Sequence, residues 1–383
     1  MGLKVLTVFG TRPEAIKMCP LVKCLEENTD ITSVVCVTSQ HREMLDQVLG
    51  IFHVVPEYDL GIMQQRQTIN EIMIKILERL DPILQIEQPN IMLVHGDTTT
   101  GLASALAAFY RKIPVGHVEA GLRSYNRYSP FPEEINRRLI SQIAEIHFAP
   151  TKENVRNLLQ ENIQDRLVIT GNTVIDSFKY TVSPNYIFKN TFLNKLIKKE
   201  KRLIIVTAHR RESIGEALKE ICSAIRTIVR EHKDVVVIYP VHPNPEVREI
   251  VYPALDQQER IYLTEPLDVE EMHNLMSKSY LIMTDSGGLQ EEAPYFHVPV
   301  IVLRKETERK EAVKANTAVV AGVAEKHIVE VANKLLTNDI TYRRMALTEN
   351  PYGDGYASER IVMELLQWHA KRKNNKLKVE GGV

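Results

Sequence analysis

Short runs of consecutive apolar residues alternate along the chain with stretches in which apolar positions recur every three or four residues. The first run, Leu3–Phe9, predicts a buried strand, and Glu14–Glu27 follows with the spacing of an amphipathic helix. Pro13 falls in the first turn of that helix, where a missing N–H costs nothing. Further strand-like runs are Ile31–Thr38, Ile91–His95, Pro114–Glu119, Ile146–Ala149 and Leu167–Thr170, with helical patterns between them. This rhythm predicts a parallel sheet covered on both faces. From about Asp176 to Lys201 the chain turns polar and lysine-rich, and its periodicity fades. The rhythm then restarts with Leu203–Thr207, Val235–Val241, Ile261–Leu263, Leu281–Thr284 and Val300–Leu303. We therefore expect two Rossmann-like, doubly wound α/β domains facing a cleft, over residues 1–175 and 201–355. Residues 176–200 would link them, a helix over 356–373 would cross back to the first domain, and 374–383 would form a tail.

Composition narrows the function classes. The 383 residues are 44% hydrophobic and 25% charged, a globular balance, and the formal net charge is −1. Such a neutral chain has no general field to attract nucleic acid or an anionic membrane, and neither is expected as a partner. Cys19, Cys24, Cys36 and Cys222 form no CxxC pair and predict buried, reduced thiols in a cytoplasmic protein. The N-terminal apolar run meets Arg12 and Glu14 too soon for a signal peptide, and no run of 18 apolar residues spans a membrane. No HxxxH, cysteine cluster or calcium-loop spacing occurs, so no metal site is expected.

In open α/β sheets ligands sit beyond the carboxyl ends of the strands, so polar residues just past a strand are the candidates for chemistry. Gly10-Thr11-Arg12-Pro13-Glu14, with Lys17 a turn on, follows the first strand. A glycine turn into a helix N-terminus, with Arg12 and Lys17, suits a phosphate. An ordinary turn with surface charges explains the segment equally. Neither GxGxxG nor GKS/T is present. Asp97, in His95-Gly96-Asp97-Thr98-Thr99-Thr100, can cap the next helix or act as an acid or base. Glu119 ends another strand, and Pro132-Glu133-Glu134 opens a further helix. These acidic positions converge on one sheet edge, with Arg12, Arg123 and His117 available as partners. Glu133 and Glu134 could equally be a solvated first turn paired with Arg137 and Arg138. In the second half, Thr207-Ala208-His209-Arg210 and Val241-His242-Pro243 close strands. Thr284-Asp285-Ser286-Gly287-Gly288 closes another, its two glycines letting backbone amides approach a diphosphate, with Glu292 placed for ribose hydroxyls.

At this point the sequence resembles the non-hydrolysing UDP-N-acetylglucosamine 2-epimerases, whose fold is that of the two-domain GT-B glycosyltransferases. The resemblance rests on FGTRPEAIKMCPLV, TSQHREMLDQVL, VHGDTTT, HVEAGLRS, YSPFPEEINRRL, FAPT, TGNTVIDS, TAHRRE, VHPNP, TDSGGLQEEAP and LRKETER, in order from residue 9 to about 310. It implies reversible C2 epimerisation of UDP-N-acetylglucosamine to UDP-N-acetylmannosamine, by elimination of UDP to a 2-acetamidoglucal and re-addition, without a cofactor and in a homodimer. The product would supply a donor for cell-envelope polysaccharide. By the same resemblance Asp97, Glu119 and Glu133, with His209, are the catalytic set. Arg12, Lys17, His209, Ser286, Gly287, Gly288, Glu292 and Arg309 bind UDP and the sugar. Gln40, Arg66, Gln67, Glu133, Arg210 and His242 form a regulatory UDP-N-acetylglucosamine site. The chain departs from the family pattern at Lys310, where proline is usual, at Glu43, where glutamine is common, and near Met272, where an aromatic residue stands beside the uracil. A hydrolysing epimerase and a GT-B glycosyltransferase share the Ser-Gly-Gly turn and Glu292. A transferase would not need several carboxylates on the N-terminal sheet.

Overall fold

The computed structural model describes residues 2–39, 42–64, 67–197, 201–210 and 213–380. The chain divides into two units, Met1–Tyr180 with Tyr352–Val383, and Thr181–Pro351. In the first, β1 (Leu3–Phe9), β2 (Ile31–Val37), β3 (Tyr58–Asp59), β4 (Ile91–His95), β5 (Val115–Val118), β6 (Ile146–Ala149) and β7 (Leu167–Ile169) form one sheet in the order β3-β2-β1-β4-β5-β6-β7. All its pairings are parallel, with Phe9 opposite Val37, Thr7 opposite Leu93 and His95 opposite Val118. The second holds β8 (Arg202–Thr207), β9 (Val235–Pro240), β10 (Ile261–Thr264), β11 (Leu281–Thr284), β12 (Val300–Val302) and β13 (Ala318–Val320), in the order β10-β9-β8-β11-β12-β13 and again parallel.

Alternate residues of the strands feed opposite cores, as the twofold strand period requires. Leu3, Val5 and Phe9 of β1 pack with Met18, Leu21, Val22 and Leu25 of the helix Arg12–Glu26. Leu6 and Val8 pack on the other face with Ile76, Leu80 and Leu84 of the helix Ile69–Glu87. The helix Ala357–Glu380 adds Ile361, Val362, Leu365 and Trp368 to the first of these cores. It runs beyond residue 373, where sequence placed its end.

The strands expected from the apolar runs are all present. The two very short edge strands β3 and β13 carry too few residues to show a pattern. The first helix begins at Arg12 rather than Glu14, because Thr11 caps it in a reciprocal box with Glu14. The polar segment that sequence assigned to a connection contains helices Phe178–Thr181 and Thr191–Ile197, and Leu193 and Leu196 of the second are buried.

Each sheet winds outward from its central strand, returns, and winds outward on the other side. The order therefore reverses between β1 and β4 in one unit and between β8 and β11 in the other. At such a point two loops diverge and leave a crevice beyond the strand ends. Among the described residues, no helix is long and apolar enough to cross a membrane.

Candidate active site

At the β1–β4 reversal the first feature is a carboxylate turned inward. Glu14 is buried, and its Oε2 accepts hydrogen bonds from the N–H groups of Gly10 (3.1 Å) and Thr11 (2.8 Å). Its Oε1 accepts from the Thr98 hydroxyl at 2.6 Å. Two amides that sequence offered to a phosphate are thus satisfied internally, and the loops after β1 and β4 are tied together. Gly10 is needed for closeness, since a Cβ there would lie 1.8 Å from the Thr38 hydroxyl. Arg12 is half-buried and makes no ion pair among the described residues.

Asp97 does not cap the helix Thr99–Tyr110; Thr98 does, accepting from the Gly101 N–H at 3.0 Å. The Asp97 carboxylate is instead free for Arg137, whose Nη2 lies 2.8 Å from its Oδ2. Arg137 is anchored from behind by Glu134 at 3.5 Å. Glu134 is fully buried and accepts from the Ser124 and Tyr125 N–H groups at 2.9 and 3.1 Å. Glu133 and Glu134 are therefore no solvated turn: Glu134 organises a loop, and the Oε2 of Glu133 is buried without a hydrogen-bond partner. Arg138 pairs with Glu161, not with either of them. Burial pushes the Asp97 carboxyl above its ordinary value, more than Arg137 lowers it, and the charges of Glu119 and Glu133 push the same way.

Glu119, one residue past β5, adopts a left-handed φ of 63°, unusual for a side chain with a Cβ. This turn aims the carboxylate back toward Lys17, with which it is ion-paired. Asn172 Nδ2 donates to the same oxygen at 2.9 Å, and His95 Nε2 lies 3.6 Å from it. Burial alone would raise this carboxyl. Lys17 and His95 outweigh burial and hold it well below the usual range. Two carboxylates beyond adjacent strands β4 and β5 thus have opposite proton affinities. His117 and Arg123, expected as their partners, serve elsewhere. His117 is buried, its pKa pushed down to about 3 by desolvation, and its Nε2 contacts the Gly96 carbonyl at 2.7 Å. A carbonyl only accepts, so the proton of this neutral ring sits on Nε2. Arg123 forms a fork with Glu161 at 3.0 and 2.8 Å.

In the second unit the organising group is Asp285, which immediately follows β11 and is fully buried. Its Oδ2 accepts from the N–H groups of His209 and Arg210, both at 2.7 Å, which fixes the turn after β8. The His209 ring stacks on His242, centroids 4.7 Å apart and 7° from parallel. Burial lowers the His209 pKa, His242 and Arg210 add to this, and Asp285 opposes it. His242 Nδ1 accepts from the Asn244 N–H at 3.2 Å. Ser286 stands at the N-cap of Gly287–Glu292 without a side-chain cap bond, while its N–H donates to the Thr284 hydroxyl at 2.9 Å. A Cβ on Gly287 would press 3.2 Å from the Arg309 guanidinium carbon, and one on Gly288 would lie 3.0 Å from Glu292 Oε1. Arg309 donates to the buried Glu291 at 2.7 Å. Glu292 lies 3.5 Å from His273, whose Nδ1 is 2.8 Å from the Thr181 hydroxyl.

The first unit therefore brings together Asp97, Glu119, Glu133 and Lys17. The second brings together His209 with Arg210 and His242, and Ser286, Gly287 and Gly288 with Glu292 and Arg309. Gln67 lies apart from these contacts, donating to the Ile62 carbonyl at 2.9 Å. Gln40 and Arg66 lie outside the described residues. Residues the sequence reading missed are Glu14, His95, Arg137, Asn172, Asp285 and His273. The available signal was position, since His95 ends β4 and Asp285 directly follows β11.

Two doubly wound parallel sheets in one chain, each with polar groups gathered where its strand order reverses, define the GT-B type of α/β protein. A family model described as UDP-N-acetylglucosamine 2-epimerase matches residues 23–366. The chain belongs to the UDP-N-acetylglucosamine 2-epimerase family. It is 52% identical over 372 residues to the UDP-N-acetylglucosamine 2-epimerase of Bacillus subtilis (strain 168), covering 97% of each chain. With that of Escherichia coli (strain K12) identity is 49% over 381 residues, covering 98% of this chain and 100% of the other. The crystal structure of the UDP-GlcNAc 2-epimerase from Neisseria meningitidis bound to UDP-GlcNAc superposes with a TM-score of 0.85 at 47% identity, over 95% of this chain and all of that one (100%).

Proposed function

We propose that this protein interconverts UDP-N-acetylglucosamine and UDP-N-acetylmannosamine without releasing free sugar. The observation that carries the reading is the pair Asp97 and Glu119, held beyond adjacent strands by Arg137 and Lys17 with oppositely shifted proton affinities. Inversion at C2 needs a proton removed from one face and returned to the other, hence two carriers in different protonation states. The C2 proton is not next to a carbonyl, so simple enolisation is closed. A carboxylate takes the C2 proton, the electron pair forms the C1–C2 double bond, and the C1–oxygen bond breaks with its electrons leaving on UDP. The resulting 2-acetamidoglucal takes a proton at C2 from the opposite face as a UDP β-phosphate oxygen re-adds at C1. In the second unit, the Ser286–Gly288 turn, His209 and Arg309 hold the diphosphate and Glu292 the ribose, stabilising charge that develops on the leaving group. In the first unit, Arg12 supplies a further cation, and Asp97, Glu119 and Glu133 act on the sugar.

Proton NMR of the protein with UDP-N-acetylglucosamine in D₂O tests the reading. UDP-N-acetylmannosamine carrying deuterium at C2, with the diphosphate linkage intact, is the expected product. Free N-acetylmannosamine with UDP would make the enzyme hydrolysing, and an unchanged spectrum would overturn epimerisation.

We further propose that UDP-N-acetylglucosamine regulates the enzyme through the Gln40, Arg66, Gln67, Glu133, Arg210 and His242 set, that the protein is a homodimer, and that its product feeds cell-envelope polysaccharide. Given UDP-N-acetylmannosamine alone, the enzyme is expected to start slowly, and a trace of UDP-N-acetylglucosamine is expected to abolish the lag. Full initial velocity without it would dismiss the regulation.

A further inference from the structure

Glu119 Oε2 and Glu119 Oε1 sit in different surroundings. Lys17 Nζ, Asn172 Nδ2 and His95 Nε2 all converge on Oε2. No described donor reaches Oε1, which would lie 3.9 Å from a Cβ placed on Gly96. The amide of Asn172 is fixed from its other end. Asn172 Oδ1 accepts from the Val174 N–H at 3.0 Å, capping the turn Thr173–Asp176, so the amide nitrogen must face Glu119. The backbone of Asn172 is fixed too. Its N–H donates to the Tyr352 carbonyl at 2.6 Å, at the residue where the chain re-enters the first unit. Gly171 (φ 90°) and Gly353 (φ 128°) make this approach possible. A Cβ on Gly353 would lie 3.2 Å from the Gly171 Cα.

We propose that Asn172 is a positioning residue for the reaction, anchoring Glu119 Oε2 from a turn that is itself tied to the returning chain segment, so that Oε1 is the oxygen that exchanges the substrate proton. The inference rests on the role proposed above for Glu119. With two donors bonded to Oε2 and His95 beside it, the carboxylate cannot rotate without breaking those contacts. Its remaining oxygen therefore keeps one direction. The anchor belongs to the turn after β7, bonded to the returning segment, and not to the β5 loop that carries Glu119, and so it fixes the carboxylate independently of its own strained backbone.

Asn172→Asp is the decisive variant. Asp keeps the size of the side chain and still caps Val174, but turns a carboxylate oxygen toward Glu119 in place of the N–H donor. The groups facing Glu119 are Lys17 from the first helix, His95 from the end of β4, Asp97 from the following loop and residue 172. A new like charge among them raises the pH at which the cluster ionises. The expected result is a fall in kcat of about 10²-fold near neutral pH, with KM changing less than about threefold, and an acid limb of the kcat profile moved to higher pH. Asn172→Ser, which keeps the cap but cannot reach Glu119, is expected to lower kcat without moving that limb upward. An Asn172→Asp enzyme with the unaltered kcat and pH profile would overturn the inference. Glu119→Gln separates the two layers. If that variant stays active, the role of Glu119 itself fails. If it is inactive while Asn172→Asp behaves as the parent, only the positioning role fails.

Discussion

Asp97→Asn is expected to lower kcat by about 10³-fold while leaving the protein as stable as the parent or more so. The two halves of this result have one cause. Burial raises the Asp97 carboxyl above its ordinary value although Arg137 lies 2.8 Å away, so the fold holds the ionised form less well than water does. For a group whose folded pKa is raised, the favourable contribution is complete below the unfolded value and is lost as pH rises through the folded one. Above the unfolded value Asp97 is therefore a net cost to the fold, whether it keeps its proton or buries its charge, and the amide removes that cost. Arg137 still meets Glu134, and the Asn carbonyl still accepts from it. Thermal unfolding at pH 7 should show Tm unchanged or higher by about 2–4 °C, and the difference should vanish as pH approaches 3.8. A variant with Tm well below that of the parent at pH 7 would contradict this account, as would one with parental kcat.

Glu119→Gln is expected to lose a similar factor in kcat, about 10³-fold, but at a cost in stability. Lys17 and Glu119 are both largely buried, with side chains 14% and 12% exposed. Removing one partner of a buried pair takes away the charge that stabilises the other, at up to roughly 3–5 kcal/mol. The linkage has the opposite sign to that of Asp97. Because Glu119 is held below its ordinary value, its contribution is complete above 4.5 and is lost as pH falls through the lower folded value. Parent and variant should therefore differ most in Tm near neutrality and converge only in strong acid. Replacing Lys17 by Met in the same variant should recover much of the Tm and none of the activity, since a Met–Gln pair of similar volume buries no charge there. Equal Tm values for the parent and Glu119→Gln at pH 7 would show that the Lys17 pair carries no stability.

The opposed signs mark where sequence stops. Asp97 and Glu119 both stand just past strands in polar loops, and nothing in His95-Gly96-Asp97 or Val118-Glu119-Ala120 distinguishes their environments. Their partners, Arg137 and Lys17, lie on helices remote in sequence, and local pattern carries no information about such pairings. Glu14 shows the same limit. Its capping box with Thr11 is local, although the sequence reading started the helix at Glu14, but its bond to Thr98 exists only because β1 and β4 are neighbours.

The sequence by itself determined the two parallel sheets, because a strand buried on both faces must be a continuous apolar run and the helices between must be amphipathic. It also placed the candidate residues at strand ends, because strand polarity follows from the chain rhythm and ligands of open sheets gather at one end. The tertiary structure alone decided which carboxylate is paired with which cation, which oxygen of Glu119 stays open, and that Asn172 bonds to Glu119 and Asp285 to the turn after β8. These are contacts between residues far apart in the chain, set by strand order and by the burial that strand order creates, and burial is what moves a carboxyl's proton affinity up or down.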